Sequence, residues 1–300
     1  MTNKYDFESS FKIGNISSII LVFSSLLLIF FKGLNFGIDF KGGTLIELRI
    51  ISSNINISDV RSSFSNMDLG DLSVKKFGRE GDYLIKFERK TFDDDINLKI
   101  IKNNVKTNLQ TDVNFRRVEN VGPKVSKELL DSGLMAISLA LSAMLFYIWV
   151  RFEWQFSIGS IVAIFHDVLI TIGLFSLLSL EINLSIIAAV LTIVGYSMND
   201  TVVIYDRIRE NLSKYSSRKI GEISNISINE TLSRTIITSL TTLLALTSIF
   251  VLGGEILRGF ALAMIIGVLI GTYSSIFVAS PILKFFNVSY KTIAKEKEKN

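Results

Sequence analysis

The chain has 300 residues, of which 49% are hydrophobic, and a formal net charge of +4 at pH 7. It contains no cysteine and one histidine, His166, which excludes disulfides, thiolate metal sites and multi-histidine metal sites within the chain. The sequence lacks a phosphate loop of the G-x-x-x-x-G-K type, so no ATPase site is predicted, and no other cofactor is expected. A mean hydropathy of +0.43 and several uncharged runs of about 18–20 residues predict a polytopic membrane protein.

The N-terminal segment contains the first predicted membrane span. Residues 1–12 are polar and are predicted to lie in the cytosol, and the apolar run that follows predicts a transmembrane helix over residues 13–31. This run lacks a small-residue cleavage site and is long for a signal peptide. It is therefore interpreted as an uncleaved anchor.

Residues 32–131 have the composition of a soluble domain, which is predicted to lie outside the cytosol. Alternating and β-rich stretches predict strands, and apolar residues at helical spacing predict helices. The second helix is predicted to begin at acidic residues, because the helix dipole favours negative charge there. The order β-α-β-β-α-β is typical of an α+β ferredoxin-like fold. The elements are predicted at residues 44–51, 58–67, 72–77, 83–87, 93–109 and 113–121.

Five further spans are predicted within residues 132–283, which makes the chain an α-helical polytopic protein with six transmembrane helices. Basic residues accumulate between the fourth and fifth spans and in the tail, residues 284–300, and the positive-inside rule places these segments and both termini in the cytosol. These segments account for the positive charge, so no nucleic-acid partner is expected. Residues 205–234 are predicted as a cytosolic loop, whose isoleucine-rich part at 220–228 is interpreted as an amphipathic surface helix. The five spans are predicted at 132–150, 156–180, 182–204, 235–252 and 260–283.

The end of the fourth span carries polar residues within apolar sequence. Asn199, Asp200 and Thr201 are followed by further apolar residues. A carboxylate costs about 2.5–3.5 kcal/mol at a helix centre on insertion scales, so it is by default a functional-site hypothesis. Arg234 opens the fifth span, and an acid whose charged partner moves can load a proton from one side and release it to the other. Asp200 with Arg234 is therefore interpreted as a proton relay. The alternative is an idle Asp200 solvated at the cytosolic interface.

Two polar residues, His166 and Asp167, interrupt the third span. They are interpreted either as part of the relay or as an interhelical hydrogen-bond pair that only fastens the bundle, and the sequence leaves both open. Small and hydroxyl residues crowd the same spans, among them Ser239, Thr242 and Gly271. They are interpreted as ordinary close packing between helices.

Glycine-containing motifs flank the outer domain. The first follows the first span and is interpreted as a rigid elbow or a hinge, because glycine permits unusual backbone angles. Its residues of interest are Gly37, Asp39, Gly42 and Gly43. The second motif precedes the second span, where Gly122 and Pro123 are predicted to form a turn that leads into a helix.

These motifs, in this order, resemble those of the SecF family of bacterial protein-export membrane subunits. The resemblance covers nearly the whole chain. It implies one half of a resistance-nodulation-division-type pseudodimer, with six spans and a large outer domain after the first. The motifs are GIDFKGGT after the first span, VGPKVSKELL before the second, HDV in the third, GYSMNDTVVIYDRIREN in the fourth and NETLSRTIITSLTTLLAL at the fifth.

The resemblance also implies a function, which is a transport function and not an enzymatic one. A subunit of this family would use the proton-motive force with SecD to promote preprotein export through SecYEG after SecA-driven insertion. Asp200 would match the intramembrane aspartate of proton transport and Arg234 the arginine that works with it. Asp206 and Arg207 belong to the same motif as Asp200. The implied partners are SecD, SecYEG, protons and the preprotein on the outer side, with YajC and YidC as further candidates, all at the bacterial cytoplasmic (inner) membrane.

Two other functions are considered. A proton-driven small-molecule exporter of the same architecture would need a second outer domain and six more spans. An intramembrane aspartyl protease would need Asp167 and Asp200 to share a proton. The known proteases of that kind resemble G-x-G-D at the second aspartate, whereas Ser197, Met198 and Asn199 precede Asp200 here. Both functions are therefore disfavoured.

Overall fold

A computed structural model describes residues 5–50, 55–65, 67, 69–76, 79–88 and 94–297. The chain forms two compact units, Met1–Asn35 together with Met135–Asn300, and Phe36–Leu134. The helices are α1 (Phe11–Lys32), α2 (Ile38–Lys41), α3 (Ile57–Ser65), α4 (Asp94–Leu109), α5 (Pro123–Arg151), α6 (Trp154–Leu177), α7 (Leu184–Lys214), α8 (Ile220–Leu252), α9 (Glu255–Ser274), α10 (Ser280–Phe285) and α11 (Tyr290–Lys297). The strands are β1 (Asn35–Phe36), β2 (Gly43–Ile50), β3 (Leu72–Lys76), β4 (Asp82–Phe87), β5 (Val113–Val121) and β6 (Glu181–Ile182).

Six helical segments among the described residues are long and apolar enough to cross a membrane. The α6, α7 and α9–α10 segments form the inside of their unit, since 56%, 50% and 56% of their apolar stretches are buried. The corresponding fractions for α1, α5 and α8 are 17%, 11% and 17%. The predicted fold class, six spans with an α+β unit between the first and second, is confirmed. The segments are Phe11–Lys32, Val125–Arg151, Trp154–Leu177, Leu184–Lys214, Ile220–Leu252 and Leu257–Phe285.

The helices around the predicted loop 205–234 extend well beyond the predicted spans. α7 continues to Lys214 because Ile204, Ile208 and Leu212, four residues apart, all stay buried. α8 begins at Ile220, so residues 215–219 are the whole connection between the two helices. The isoleucine-rich part at 220–228 is therefore the first part of α8 and packs into the bundle. Its interpretation as a separate surface helix is wrong.

The sixth span is interrupted by a π-helical turn, Ser275–Ala279, which joins α9 to α10. The Ser280 hydroxyl donates a hydrogen bond to the Ser275 carbonyl over 3.0 Å, and Pro281 follows. Because proline lacks a backbone N–H, it removes one helical hydrogen bond at this point. We call the end of the bundle where α7 begins its upper end, and the end where α7 stops its lower end.

The second unit is built on a four-stranded sheet in the order β3-β4-β2-β5, in which all pairs are antiparallel. With α3 and α4 in their places along the chain, this is the split β-α-β arrangement that the sequence predicts. Its core contains Ile46, Leu48, Val60, Phe64 and Ile85, all with 0% exposure. The acidic start of the second helix is predicted partly on residue 93, which lies outside the described part of the chain.

The motif after the first span has a backbone that requires glycine. Gly37 is extended, and Asp39 lies in the first turn of the short helix α2. Gly42 and Gly43 have φ angles of 78° and 134°, which other residues rarely adopt. A Cβ atom on Gly43 would lie 2.7 Å from the carbonyl oxygen of Phe87. Gly43 is thus required by the close approach of β2 to β4, and Gly42 by its backbone angle.

The second motif leads into a helix, as the sequence predicts. Gly122 has open space around the position of a Cβ atom, and Pro123 is the first residue of α5. Proline suits this position because the first N–H groups of a helix have no partner within the helix.

Candidate functional site

The α7 helix places Asp200 near the middle of the bundle. The residue lies 16 positions after Leu184, the first residue of α7, and 14 before Lys214, the last. At about 1.5 Å per residue, its Cα atom is roughly 20 Å of helix from either end. Ser197, Asp200 and Ile204 are buried at helical spacing, so the aspartate belongs to the inward face of α7.

The Asp200 side chain is almost completely enclosed, with 3% of the residue exposed. Its Oδ2 atom is fully buried and has no hydrogen-bond partner among the described residues. Thr272 of α9 lies beside the carboxyl group. A buried polar atom without a partner is costly in apolar surroundings, so the group has a strong tendency to acquire a proton or a donor. This burial does not fit an idle carboxylate solvated at an interface.

Arg234 lies at the same level of the bundle as Asp200. It is 14 residues after Ile220, the first residue of α8, just as Asp200 is 14 residues before the lower end of α7. Its charge acts on the Asp200 carboxyl group. The Arg234 side chain is itself exposed on the surface of the bundle. The two residues that the sequence singles out are therefore near each other, and the arginine has room to change its position.

The two neighbours of Asp200 in the chain point in different directions. Thr201 is 1% exposed, and its hydroxyl shares a hydrogen bond of 2.9 Å with the hydroxyl of Ser275, the first residue of the π-helical turn. Asn199 is exposed on the surface of the bundle. Thr201 thus belongs to the interior around Asp200, whereas Asn199 does not.

His166 and Asp167 belong to a separate buried cluster. The Asp167 Oδ1 atom is 2.8 Å from His166 Nδ1, and its Oδ2 atom accepts hydrogen bonds from Ser197 at 2.5 Å and Ser274 at 2.8 Å. Asp167 is completely buried, and His166 is 4% exposed. The cluster ties α6 to α7 and α9. Both oxygens of the Asp167 carboxylate are occupied by these contacts. Asp167 therefore does not share a proton with Asp200, as the two aspartates of a protease would need to do.

Sequence reasoning did not single out several hydroxyl residues around these acids. Ser197, Thr272, Ser274 and Ser275 face Asp167, Asp200 or Thr201 from the neighbouring helices. The one local signal is spacing, since Ser197 precedes Asp200 by three residues on the same face of α7. Which partner each serine meets depends on how α9 packs, and the sequence around it does not specify that.

Ion pairs tie the lower ends of the helices together. Asp206 of α7 pairs with Arg151 at 3.0 Å, and Arg207 pairs with Glu230 of α8 at 2.7 Å. A further pair joins Arg209 to Glu153 at 3.1 Å, and the Glu153 side chain is only 4% exposed. Asp206 and Arg207 therefore connect α7 to its neighbours, away from the level of Asp200. No group of acidic and histidine side chains suited to a metal ion occurs among the described residues.

Comparison with known proteins places this arrangement in a family. The family model described as "Protein export membrane protein SecD/SecF, C-terminal" matches residues 100–289, and the "SecD/SecF GG Motif" model matches residues 27–50. The chain is 44% identical to the protein translocase subunit SecF of Rickettsia bellii over 283 residues, which are 94% of this chain and 93% of that one. It is also 44% identical to the same subunit of Rickettsia akari over 289 residues, 95% of this chain and 94% of that one.

The chain belongs to the SecF family. The resemblance given by its motifs is thereby confirmed, and the chain is a multi-pass membrane subunit of the protein translocase, a transport protein and not an enzyme. The same finding sets the protease interpretation aside.

Solved structures of SecDF proteins have the same fold. A crystal structure of SecDF from Thermus thermophilus, described as translocon-associated, matches with a TM-score of 0.84 at 36% identity over 94% of this SecF-family chain. SecDF in a super-membrane-facing form matches with a TM-score of 0.70 at 35% identity over 99% of the chain. The chain spans only 38% and 40% of those two proteins. In those two proteins the part that matches this chain is therefore one portion of a longer SecDF chain.

Proposed function

We propose that this SecF-family subunit uses proton movement through Asp200 to promote preprotein export, together with SecD, through the SecYEG channel. The observation that supports this most is the state of the Asp200 carboxyl group. It is 3% exposed at the middle of a membrane-spanning helix, and its buried Oδ2 atom lacks a partner. Intramembrane acids of this kind are costly and are characteristic of proton relays.

The surroundings of Asp200 suit two states that interconvert. Without a proton, the carboxylate is stabilised by the nearby charge of Arg234; with a proton, the neutral acid fits the apolar wall and can donate a hydrogen bond. Because the Arg234 side chain is exposed, it can move away without unpacking the core. Alternating between these states would load a proton from one side of the membrane and release it to the other.

The orientation and partners are part of the same proposal. Basic residues at the lower end favour a cytosolic lower end, with both termini inside and the sheet-bearing unit on the outer side of the bacterial inner membrane. The exported chain would then meet that unit as it emerges, after SecA has driven its insertion. SecD would supply the second half of the pseudodimer, and YajC and YidC are further candidate partners.

The experiment compares Asp200→Asn with the matched variant Asp112→Asn, whose side chain is 92% exposed in the other unit. Each is produced with SecD, and two quantities are measured: proton flux into membrane vesicles and gradient-dependent export of a preprotein. We expect Asp200→Asn to lower both by about tenfold or more, because the amide cannot carry the proton. The Asp112→Asn protein should match the wild type. Wild-type flux and export in Asp200→Asn would disprove the proposal.

A further inference from the structure

The sixth span runs beside α7 in a constant register that continues through the π-helical turn. Four residues of α7, spaced four apart, each meet the residue that lies 74 positions later in the chain. The upper two pairs are close contacts at glycines, and the lower two are hydrogen bonds. Small residues on the sixth span allow this close approach between the helices. The pairs are Ile193 with Gly267, Ser197 with Gly271, Thr201 with Ser275 and Tyr205 with Ala279.

The two hydrogen bonds join α7 to both ends of the π-helical turn. The hydroxyl oxygens of Thr201 and Ser275 are 2.9 Å apart, and Ser275 is the first residue of the turn. The Tyr205 hydroxyl donates to the carbonyl oxygen of Ala279, the last residue of the turn, over 2.9 Å. Thr201 is 1% exposed and Tyr205 is 0% exposed. We call Thr201 and Tyr205 the clamp residues.

Thr201 is the donor in its hydrogen bond to the turn. The Ser275 hydroxyl donates to the Gly271 carbonyl oxygen over 2.8 Å, and because a hydroxyl has one proton, it accepts from Thr201. Thr192, exposed on the same helix, donates instead to the carbonyl oxygen of Ala188, four residues earlier. The Thr201 proton is therefore used between helices, where it ties the sixth span to α7.

Tyr205 is held in place by the residues around its ring. The centre of this ring is 5.0 Å from that of Phe156 and 6.2 Å from that of Phe152. Gly159 leaves room for the Tyr205 hydroxyl, since a Cβ atom at this position would overlap the hydroxyl oxygen. Tyr205 is thus a fixed point that holds the lower end of the π-helical turn.

The π-helical turn lies directly below the residue that neighbours Asp200. Thr272 lies beside the Asp200 carboxyl group and three residues before Ser275, which is about one turn higher on the sixth span. A π-helical turn is uncommon, and Pro281 removes a further hydrogen bond just below this one. If the turn re-formed as ordinary α-helix, α9 and α10 would rotate against each other, and a rotation of α9 would move Thr272 away from Asp200. The clamp residues oppose this rearrangement, because it would break at least one of their hydrogen bonds.

We propose that Thr201 and Tyr205 are positioning residues for proton binding at Asp200. They hold the π-helical turn against α7, and through it they keep Thr272 beside the carboxyl group. This rests on the proposed function of Asp200, and neither clamp residue itself gains or loses a proton. The other titratable groups that face this part of the bundle are Tyr196 on α7, Arg234 on α8, and His166 and Asp167 on α6.

The test removes single hydroxyl groups and keeps the shape of each side chain. The variants are Thr201→Val, Tyr205→Phe and Thr272→Val. The matched controls are Thr192→Val on α7 and Tyr147→Phe on α5, whose side chains are exposed. Each protein is produced with SecD, and proton flux into membrane vesicles is measured over a series of pH values. Each profile is scaled to its own maximum, so a lower yield of folded protein does not change it.

We expect both clamp variants to shift the pH of half-maximal flux by about half a unit or more, in the same direction as Thr272→Val. A shift of this size corresponds to the loss of one hydrogen bond. Thr201→Ser, which restores the hydroxyl, should recover the wild-type profile, and both controls should match it. The double variant of Thr201→Val and Thr272→Val should shift no further than Thr272→Val alone, because Thr201 acts through Thr272.

Wild-type profiles in both clamp variants or in Thr272→Val would overturn the proposal, as would shifts that add in the double variant. A lower flux with an unchanged profile would indicate packing alone and would overturn it as well. If Asp200→Asn stops proton flux while the clamp variants keep the wild-type profile, the clamp fails and the role of Asp200 remains. If Asp200→Asn leaves the flux unchanged, the proposed function itself fails.

Discussion

Removing the Asp167 carboxyl group should weaken the packing of α6 against α7 and α9. The carboxylate of Asp167 on α6 accepts hydrogen bonds from Ser197 on α7 and Ser274 on α9, and it contacts His166. An Asp167→Ala change deletes both carboxylate oxygens. It leaves the buried Ser197 hydroxyl without this acceptor and the Ser274 hydroxyl with only its bond to the Gly271 carbonyl, at 3.1 Å. An Asp167→Asn change keeps the shape of the side chain, with its oxygen facing the serines and its amide facing the histidine.

The expected loss in the free energy of unfolding follows from those contacts. Hydrogen bonds between helices in membranes average about 0.6 kcal/mol, with a maximum near 1.7 kcal/mol. Two such bonds, to Ser197 and Ser274, together with the contact to His166 within α6 and the cavity left by the side chain, give about 2–5 kcal/mol for Asp167→Ala. For Asp167→Asn we expect less than about 1 kcal/mol, because all three contacts can be kept.

The assay is denaturant-induced unfolding of the purified protein in detergent, with export measured in parallel. The control is Asp131→Ala, an exposed aspartate on α5, which should leave both unchanged. A fastening role predicts that Asp167→Asn keeps nearly full stability and export. If Asp167→Asn keeps its stability but loses proton flux, the reasoning is refuted, and Asp167 is part of the relay.

Three further predictions concern single positions. Asp82 is hydrogen bonded to Arg49, which holds the pKa of the Asp82 carboxyl below its usual range. The stabilisation from this pair is fully present above the unfolded pKa of about 3.9 and is lost as the pH falls through the folded pKa. Asp82→Asn should therefore make the free energy of unfolding depend less steeply on pH in the acid range. Gly43→Ala should lower the free energy of unfolding by about 1–3 kcal/mol in a denaturant titration, because of the positive φ and a nearby carbonyl oxygen. Gly267→Ala should cost about 1–3 kcal/mol in detergent unfolding, because its Cβ atom would overlap the Ile193 side chain, and Ile193→Ala should relieve part of that cost.

The controls for these three predictions are residues of the same type in open surroundings. Asp112→Asn should leave the acid unfolding curve unchanged, because its side chain is 92% exposed. Gly122→Ala and Gly195→Ala should be close to neutral, since nothing lies within 4 Å of the added atom. A Gly43→Ala or Gly267→Ala protein as stable as these controls would contradict the packing argument, and an unchanged acid curve for Asp82→Asn would contradict the pKa argument.

The sheet-bearing unit and the number of spans could be predicted because they depend on local pattern. Strand β5 has its predicted bounds, and β2 begins one residue earlier than predicted, since alternation and turn residues define both. The continuation of α7 to Lys214 could not be predicted from hydropathy, because charged residues enter the sequence after Ile204 while one face remains buried. Hydropathy marks the part of α7 that can cross the membrane, whereas the burial of one face determines how far the helix continues.

The site could be predicted only in part, for a similar reason. An acid within an apolar run is visible in the sequence, and so is the arginine at the start of the next span. The partners of Asp167 are serines on two other helices, and the neighbour of Asp200 is a threonine on α9. Serine and threonine are common throughout these spans, so only the packing of the helices distinguishes the few that face an acid from the many that bond to their own backbone.

The π-helical turn in the sixth span fixes the register of the chain that follows it. A π-helical hydrogen bond spans five residues and an α-helical one spans four, so the turn holds one residue more than an ordinary helical turn. Deleting one residue there would leave a plain α-helical turn and keep Leu283, now at 0% exposure, directed inward. Inserting one residue would instead rotate α10 by about 100° and move Leu283 to the exposed position that Lys284 now holds. A single-residue deletion in this segment should therefore be tolerated far better than an insertion.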